Sequence, residues 1–160
     1  MSYFNNYLKK YENKKVNIFI DMDGVVADYD AISFKGNKDN DDVYLNKRPI
    51  MTVISILEEI STLPNIELYI LSCTKKESQI NGKLIWLSKY MSFIKVENIN
   101  IISREKKNYN KAYDIKKNFL KQNCNTNEVN IVIDDSHDVI KEIMNLDLGI
   151  IPIHITSILD

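Results

Sequence analysis

A chain of 160 residues with 44% hydrophobic and 27% charged residues has the balance of an ordinary globular protein, long enough to bury one core. Its formal net charge of -1 and pI near 6.1 exclude a generic polyanion-binding surface, though not a local basic groove. No apolar run approaches the roughly 20 residues that span a bilayer and the N-terminus carries no apolar signal core, so a cytoplasmic protein without membrane contact is expected.

Taken in order, Phe4, Tyr7, Leu8 and Tyr11 recur at helical spacing and predict a short amphipathic helix on the domain edge. Val16 to Ile20 reads as a buried strand that runs into Asp21-Met22-Asp23, with Gly24 free to take a tight turn. Residues 28–48 hold Gly36, clustered Asn and Asp and little apolar periodicity, and read as a long polar loop. Its acidic run, Asp39-Asn40-Asp41-Asp42, lacks the glycine and distal glutamate of a calcium loop and reads as solvated surface.

Pro49 suits the first turn of a helix, which Val53, Ile54, Ile56, Leu57 and Ile60 make apolar on one face. A second strand, Ile66 to Leu71, is predicted to stop at Ser72-Cys73-Thr74. The next helix, Glu77 to Met91, carries Ile80, Leu84, Leu87 and Met91 on one stripe with Trp86 beside it. Ile99 to Ser103 is a third short strand, and Lys111 opens a helix to Gln122 with Ala112, Ile115, Phe119 and Leu120 inward. A fourth strand, Val129 to Ile133, runs into Asp134-Asp135, and Val139, Ile140, Ile143 and Met144 mark the helix after it. Gly149 to Ile155 is a last strand, placed at a sheet edge by Pro152. Strands alternating with helices predict an α/β, doubly wound, Rossmann-like parallel sheet of about five strands, in a single domain covering residues 1–160.

Ligands of such sheets bind at the carboxyl ends of the strands. Three predicted strands end there in polar groups: Asp21 and Asp23, Ser72 and Thr74, and Asp134 and Asp135. Residues two apart in a strand face the same way, so Asp21 and Asp23 are expected to converge on one site. Converging carboxylates repel unless a cation sits between them, which makes Mg²⁺ the natural occupant. A lysine is expected beside them; Arg104, Lys106, Lys107 and Lys111 all lie before the fourth strand, and Lys111 is preferred for opening the helix, with Lys107 second. His137 reads as a surface or capping residue, His154 as structural, and Tyr90, Tyr109 and Tyr113 as packing. The two cysteines, Cys73 and Cys124, form no metal-like cluster or disulfide framework.

The order and spacing of these parts resemble the haloacid dehalogenase (HAD) superfamily of phosphohydrolases, over Val16 to about Ile155. The resemblance implies a Mg²⁺-dependent phosphomonoester hydrolase that works through an aspartyl-phosphate. It makes Asp21 the nucleophile and Asp23 the general acid and base, with Ser72 and Lys111 holding the phosphoryl group. Asp21, Asp134 and the backbone carbonyl of Asp23 would bind Mg²⁺, supported by Asp135 or Asp138, and Gly24, Cys73 and Thr74 would lie on the substrate side.

Residues 28–48 take the position of a reduced cap. Asp-Met-Asp-Gly-Val-Val-Ala-Asp, then Arg48-Pro49, then Ile-Asp-Asp is similar to the 5'(3')-deoxyribonucleotidase branch. A small phosphomonoester, foremost a nucleotide, is therefore the expected substrate, and a nucleic-acid end the alternative for so open a site. A non-catalytic Mg²⁺-binding phospho-acceptor is the reading from another class.

Overall fold

A computed structural model describes residues 3–29, 43–107 and 111–159, the side chains of residues 106 and 107 aside. The expected loop features Gly36 and Asp39 to Asp42, and Tyr109, lie outside the described residues.

Five strands form one parallel sheet in the order β3-β2-β1-β4-β5. They are β1 (Val16–Ile20), β2 (Ile66–Thr74), β3 (Ile99–Ser103), β4 (Val129–Asp134) and β5 (Ile151–His154). The central strand β1 is buried at every residue, as a strand covered on both faces must be. Its register sets Val16 opposite Ile66 on one side and Val129 on the other. The doubly wound α/β expectation holds.

The helices are α1 (Tyr3–Leu8), α2 (Met51–Ser61), α3 (Ile80–Tyr90), α4 (Arg104–Lys107), α5 (Ala112–Asn123) and α6 (His137–Met144). Alternation along the strands divides the core in two. Ile18, Ile20, Ile70 and Ile133 pack with Val53, Leu57, Trp86 and Leu87 from α2 and α3. Phe19, Leu71 and Val132 pack on the other face with Leu120, Val139 and Ile143 from α5 and α6. Pro152 sits on edge strand β5, where its missing N–H interrupts no central ladder.

Three local expectations need correction. β2 continues through Ser72 and Cys73 to Thr74, because β3 pairs with it that far, Ser72 opposite Ile101 and Thr74 opposite Ser103. Pro49 lies outside α2, in an isolated antiparallel bridge with Ala27, and Ile50 is the N-cap. On α3, Trp86, Leu87 and the following Met91 are buried as expected, but Gly82 and Lys83 share that inward face in place of Ile80 and Leu84, and Leu84 is 38% exposed. Trp86 sets that rotation: its ring is buried and its Nε1 donates to the Lys47 carbonyl at 2.8 Å.

The chain runs outward from β1 to β3 and then crosses back to β4. Strand order therefore reverses beside β1, and the crevice of a parallel sheet opens at the carboxyl ends there. No helix among the described residues is long and apolar enough to cross a membrane.

Candidate active site

At the carboxyl end of β1 the strand stops at Ile20, and Asp21 still receives a sheet partner, its N–H donating to the Ile133 carbonyl at 3.0 Å. The backbone then coils: the Val26 and Ala27 N–H groups donate to the Met22 carbonyl at 3.0 and 2.9 Å. Gly24 has φ +77°, the left-handed region that glycine enters without a Cβ clash. A Cβ at Gly24 would also overlap the Asp135 carboxylate.

This coil separates two acids that an extended strand would aim together. Asp21 faces α5, where Lys116 Nζ lies 3.0 Å from its Oδ1 and 2.6 Å from Asp134 Oδ2. Asp23 turns the other way, to Lys83 Nζ at 2.5 Å from its Oδ2 and to Lys47 Nζ at its Oδ1. The two carboxylates line one cleft, as expected of acids converging on one site, but hold different counterions.

The end of β4 supplies the remaining acids. Asp134 Oδ1 accepts the Ser136 N–H at 2.9 Å, and Ser136 caps α6 by accepting the Val139 N–H at 3.4 Å. Carboxylate oxygens of Asp21, Asp134 and Asp135 all lie within 4.8 Å of one another. Burial and the neighbouring Asp21 push the Asp134 carboxyl up to about 6, against the pull of Lys116. Asp135 is also raised, by burial and by Asp21.

The cluster thus carries more negative charge than Lys116 neutralises, and its donors are all oxygen. That donor chemistry fits a hard divalent cation such as Mg²⁺. Asp135 completes the cluster, while Asp138 is exposed at the rim of a smaller recess.

Lys83 lies opposite, on α3, and is fully buried. Its ammonium donates to Asp23 Oδ2 at 2.5 Å, Ser72 Oγ at 2.8 Å and the Cys73 carbonyl at 3.0 Å, one acceptor for each N–H. Burial alone would raise the Asp23 carboxyl, but Lys83 and Lys47 hold it below its ordinary value. Asp23 is therefore a carboxylate at neutral pH.

Ser72 is fully buried, its Oγ accepting from Lys83, while Cys73 lines the cleft. Burial pushes the Cys73 thiol up to about 11, so it stays protonated and is no nucleophile. Thr74 is buried, and its hydroxyl has no hydrogen-bond partner.

The lysine expected at Lys111 is elsewhere. Lys111 is the exposed N-cap residue of α5, and the buried lysine of that helix is Lys116. One turn and a third further along, Lys116 shares the inward face with Ile115 and Leu120, so its stem is packed and its head reaches the acids. The Lys107 side chain, the second choice, lies outside the described residues.

Two further functional lysines escaped the sequence. Lys83 stands three and four residues before Trp86 and Leu87, so a lysine inside an apolar stripe was its signal. Lys47 had none, sitting in a turn held by Tyr44 and Trp86.

The cleft encloses about 540 Å³ and opens over Asp21 and Asp23. Tyr29, Tyr44, Lys75 and Arg104 all line its wall. Lys47 Nζ lies 5.5 Å from the Tyr29 ring and 5.1 Å from the Tyr44 ring.

No protein-family model and no curated protein matches this sequence. Among solved structures the chain is similar to one described as the structure of the Pnkp1/Rnl/Hen1 RNA repair complex. The TM-score is 0.66 at 15% identity, over 89% of this chain and 42% of that one. The likeness is one of fold. The present chain spans less than half the length of the chain it matches.

Proposed function

We propose that this chain is a Mg²⁺-dependent phosphomonoester hydrolase of the HAD type, acting through an aspartyl-phosphate on Asp21. One observation carries the reading. Asp21 opens to the cleft with Lys116 at 3.0 Å and the Asp134 and Asp135 carboxylates within 4.8 Å, while a second, separately held carboxylate, Asp23, lines the same cleft.

An Asp21 oxygen attacks phosphorus, the bond from phosphorus to the leaving oxygen breaks, and the phosphoryl group stays on Asp21. Water then attacks phosphorus, the Asp21–phosphorus bond breaks, and phosphate leaves. Mg²⁺, held by Asp21, Asp134 and Asp135, would neutralise charge on the phosphoryl oxygens. Lys116, 3.0 Å from Asp21, puts a fixed positive charge beside the attacking oxygen.

Asp23, kept as a carboxylate by Lys83 and Lys47, is ready to take the proton of the attacking water. The same two lysines oppose its acid form. An aryl phosphate, whose aryloxide departs without a proton, is thus the favourable in vitro substrate, while the leaving oxygen of a nucleotide takes the proton that Asp23 gained from water in the preceding turnover. The non-catalytic phospho-acceptor reading gives Asp23 no task.

The substrate we infer is a small phosphomonoester, foremost a nucleotide, because Tyr29 on the cleft wall is 56% exposed and offers a ring face to a base. A phosphorylated nucleic-acid end is the second reading. It is favoured by Lys75 and Arg104 on the cleft wall and by a structural neighbour described as an RNA repair complex.

Phosphate release from an aryl phosphate with and without Mg²⁺, with Asp21→Asn as control, tests the activity. Turnover that needs both Mg²⁺ and Asp21 is the expected result. A wild type without turnover, or an Asp21→Asn protein that retains it, removes the hydrolase reading. Rates on deoxynucleotides, sugar phosphates and 3'-phosphorylated oligonucleotides then separate the two substrate classes.

A further inference from the structure

We propose that His154 is a positioning residue for the cation site, holding the backbone of Asp135 and thereby the Asp134–Asp135 carboxylate pair. The inference rests on the Mg²⁺ reading given above. The parallel ladder between β4 and β5 ends with Asp134 opposite His154. Beyond that pair the chain leaves the sheet as a 3₁₀ turn, Ile155–Ile158, so β5 supplies no further strand residue beside Asp135. The His154 side chain takes over: its Nε2 lies 3.0 Å from the Asp135 carbonyl oxygen.

A carbonyl oxygen only accepts, so Nε2 carries the proton. The other ring nitrogen fits that tautomer. Nδ1 accepts the Thr156 N–H at 3.4 Å and stands 2.9 Å from Thr156 Oγ1, whose hydroxyl can donate to it. The ring is also fixed on its face, stacked on His137 at 4.8 Å between centroids and 14° between planes.

On the opposite side of the same strand exit, Asp134 Oδ1 accepts the Ser136 N–H at 2.9 Å. The acid pair is therefore held at two points, Asp134 through its carboxylate by the Ser136 N–H and Asp135 through its backbone carbonyl by His154. Groups of this kind, which touch a ligand residue and not the ion, set ligand direction and commonly govern affinity.

The test is calorimetric titration of the purified full chain with Mg²⁺, comparing wild type, His154→Gln and His154→Leu, alongside the thermal midpoint without metal. Gln can keep an N–H near Nε2; Leu matches bulk without a donor. His154→Leu is expected to bind Mg²⁺ roughly 10–100-fold more weakly than wild type, and His154→Gln within about threefold of it. Should the Leu variant not fold, His154→Asn, polar but too short to reach the Asp135 carbonyl, takes its place with the same expected loss.

Leu binding as tightly as wild type, or Gln losing as much as Leu, overturns the inference. A wild type that binds no Mg²⁺ overturns the metal-dependent hydrolase reading as well, so the two failures are distinguishable.

Discussion

Replacing Lys116 by Met keeps an unbranched stem in α5 but removes the cation between Asp21 and Asp134. In the metal-free protein this leaves three clustered carboxylates without their buried partner, since Lys116 Nζ is 3.0 Å from Asp21 and 2.6 Å from Asp134 with only 4% of its side chain exposed. Removing one member of a buried ion pair costs about 3–5 kcal/mol. At about 2–4 °C per kcal/mol for a domain of this size, the thermal midpoint should fall by roughly 6–20 °C.

Mg²⁺ should restore more to the variant than it adds to the wild type, because in the variant no ammonium competes for the Asp21 and Asp134 oxygens. A ligand at one hundred times its Kd contributes about 2.7 kcal/mol, and a tighter Kd in the variant raises that figure at equal Mg²⁺. Thermal unfolding followed by circular dichroism, with and without Mg²⁺, reads both quantities. A Mg²⁺ shift in Lys116→Met no larger than in wild type would refute the shared-oxygen reasoning. Turnover should be lost in either case, since the fixed positive charge beside Asp21 is gone.

The affinity for Mg²⁺ should depend on pH through Asp134, whose carboxyl is pushed up to about 6. Below that value its bound proton must leave before a cation binds, so affinity should fall roughly tenfold per pH unit as the solution is acidified and level off above it; a titration flat from pH 5 to 7 contradicts this. Gly24→Ala places a Cβ at φ +77° and against Asp135, and should cost about 1–2 kcal/mol of stability while weakening Mg²⁺ binding. Lys83→Met should cost about 3–5 kcal/mol by stranding Asp23 on Lys47 alone, with unfolding in urea as the measurement.

The sheet was legible because its strands are apolar runs bounded by turn residues, and because the strand ends announced themselves with acids and hydroxyls. Asp21, Asp23 and Asp134 could be named for that reason, and so could Gly24. What could not be read was which side chains answer those acids. Lys111, Lys116 and Lys83 are all lysines on amphipathic helices; only the rotation of each helix decides which is buried, and Trp86 sets that rotation for α3.

The apolar face predicted for α3 ran through Leu84, one position from Lys83, so a small angular error put an exposed leucine inward in place of the buried lysine that pairs with Asp23. Lys47 depended on a turn far from any periodic pattern. The fate of Asp23 was hidden for a different reason, since alternation of side chains applies only while the strand lasts.

The turn after β1 sends the two acids of one short segment to different partners. Had β1 remained extended through Asp23, both carboxylates would face the same cation, and a carboxylate ligating a cation is a poor proton acceptor. Termination at Ile20 and the coil around the Met22 carbonyl send Asp21 to the α5 face and Asp23 toward α3. Each acid then acquires its own lysines from its own side of the sheet. Asp21 shares Lys116 with the cation cluster, whereas Asp23 is neutralised by Lys83 and Lys47 and stays outside it. The three backbone features that produce this division are the strand end, the positive φ of Gly24 and the Asp135 carboxylate packed where a Cβ would be. Two carboxylates can therefore stand two residues apart without competing for one counterion.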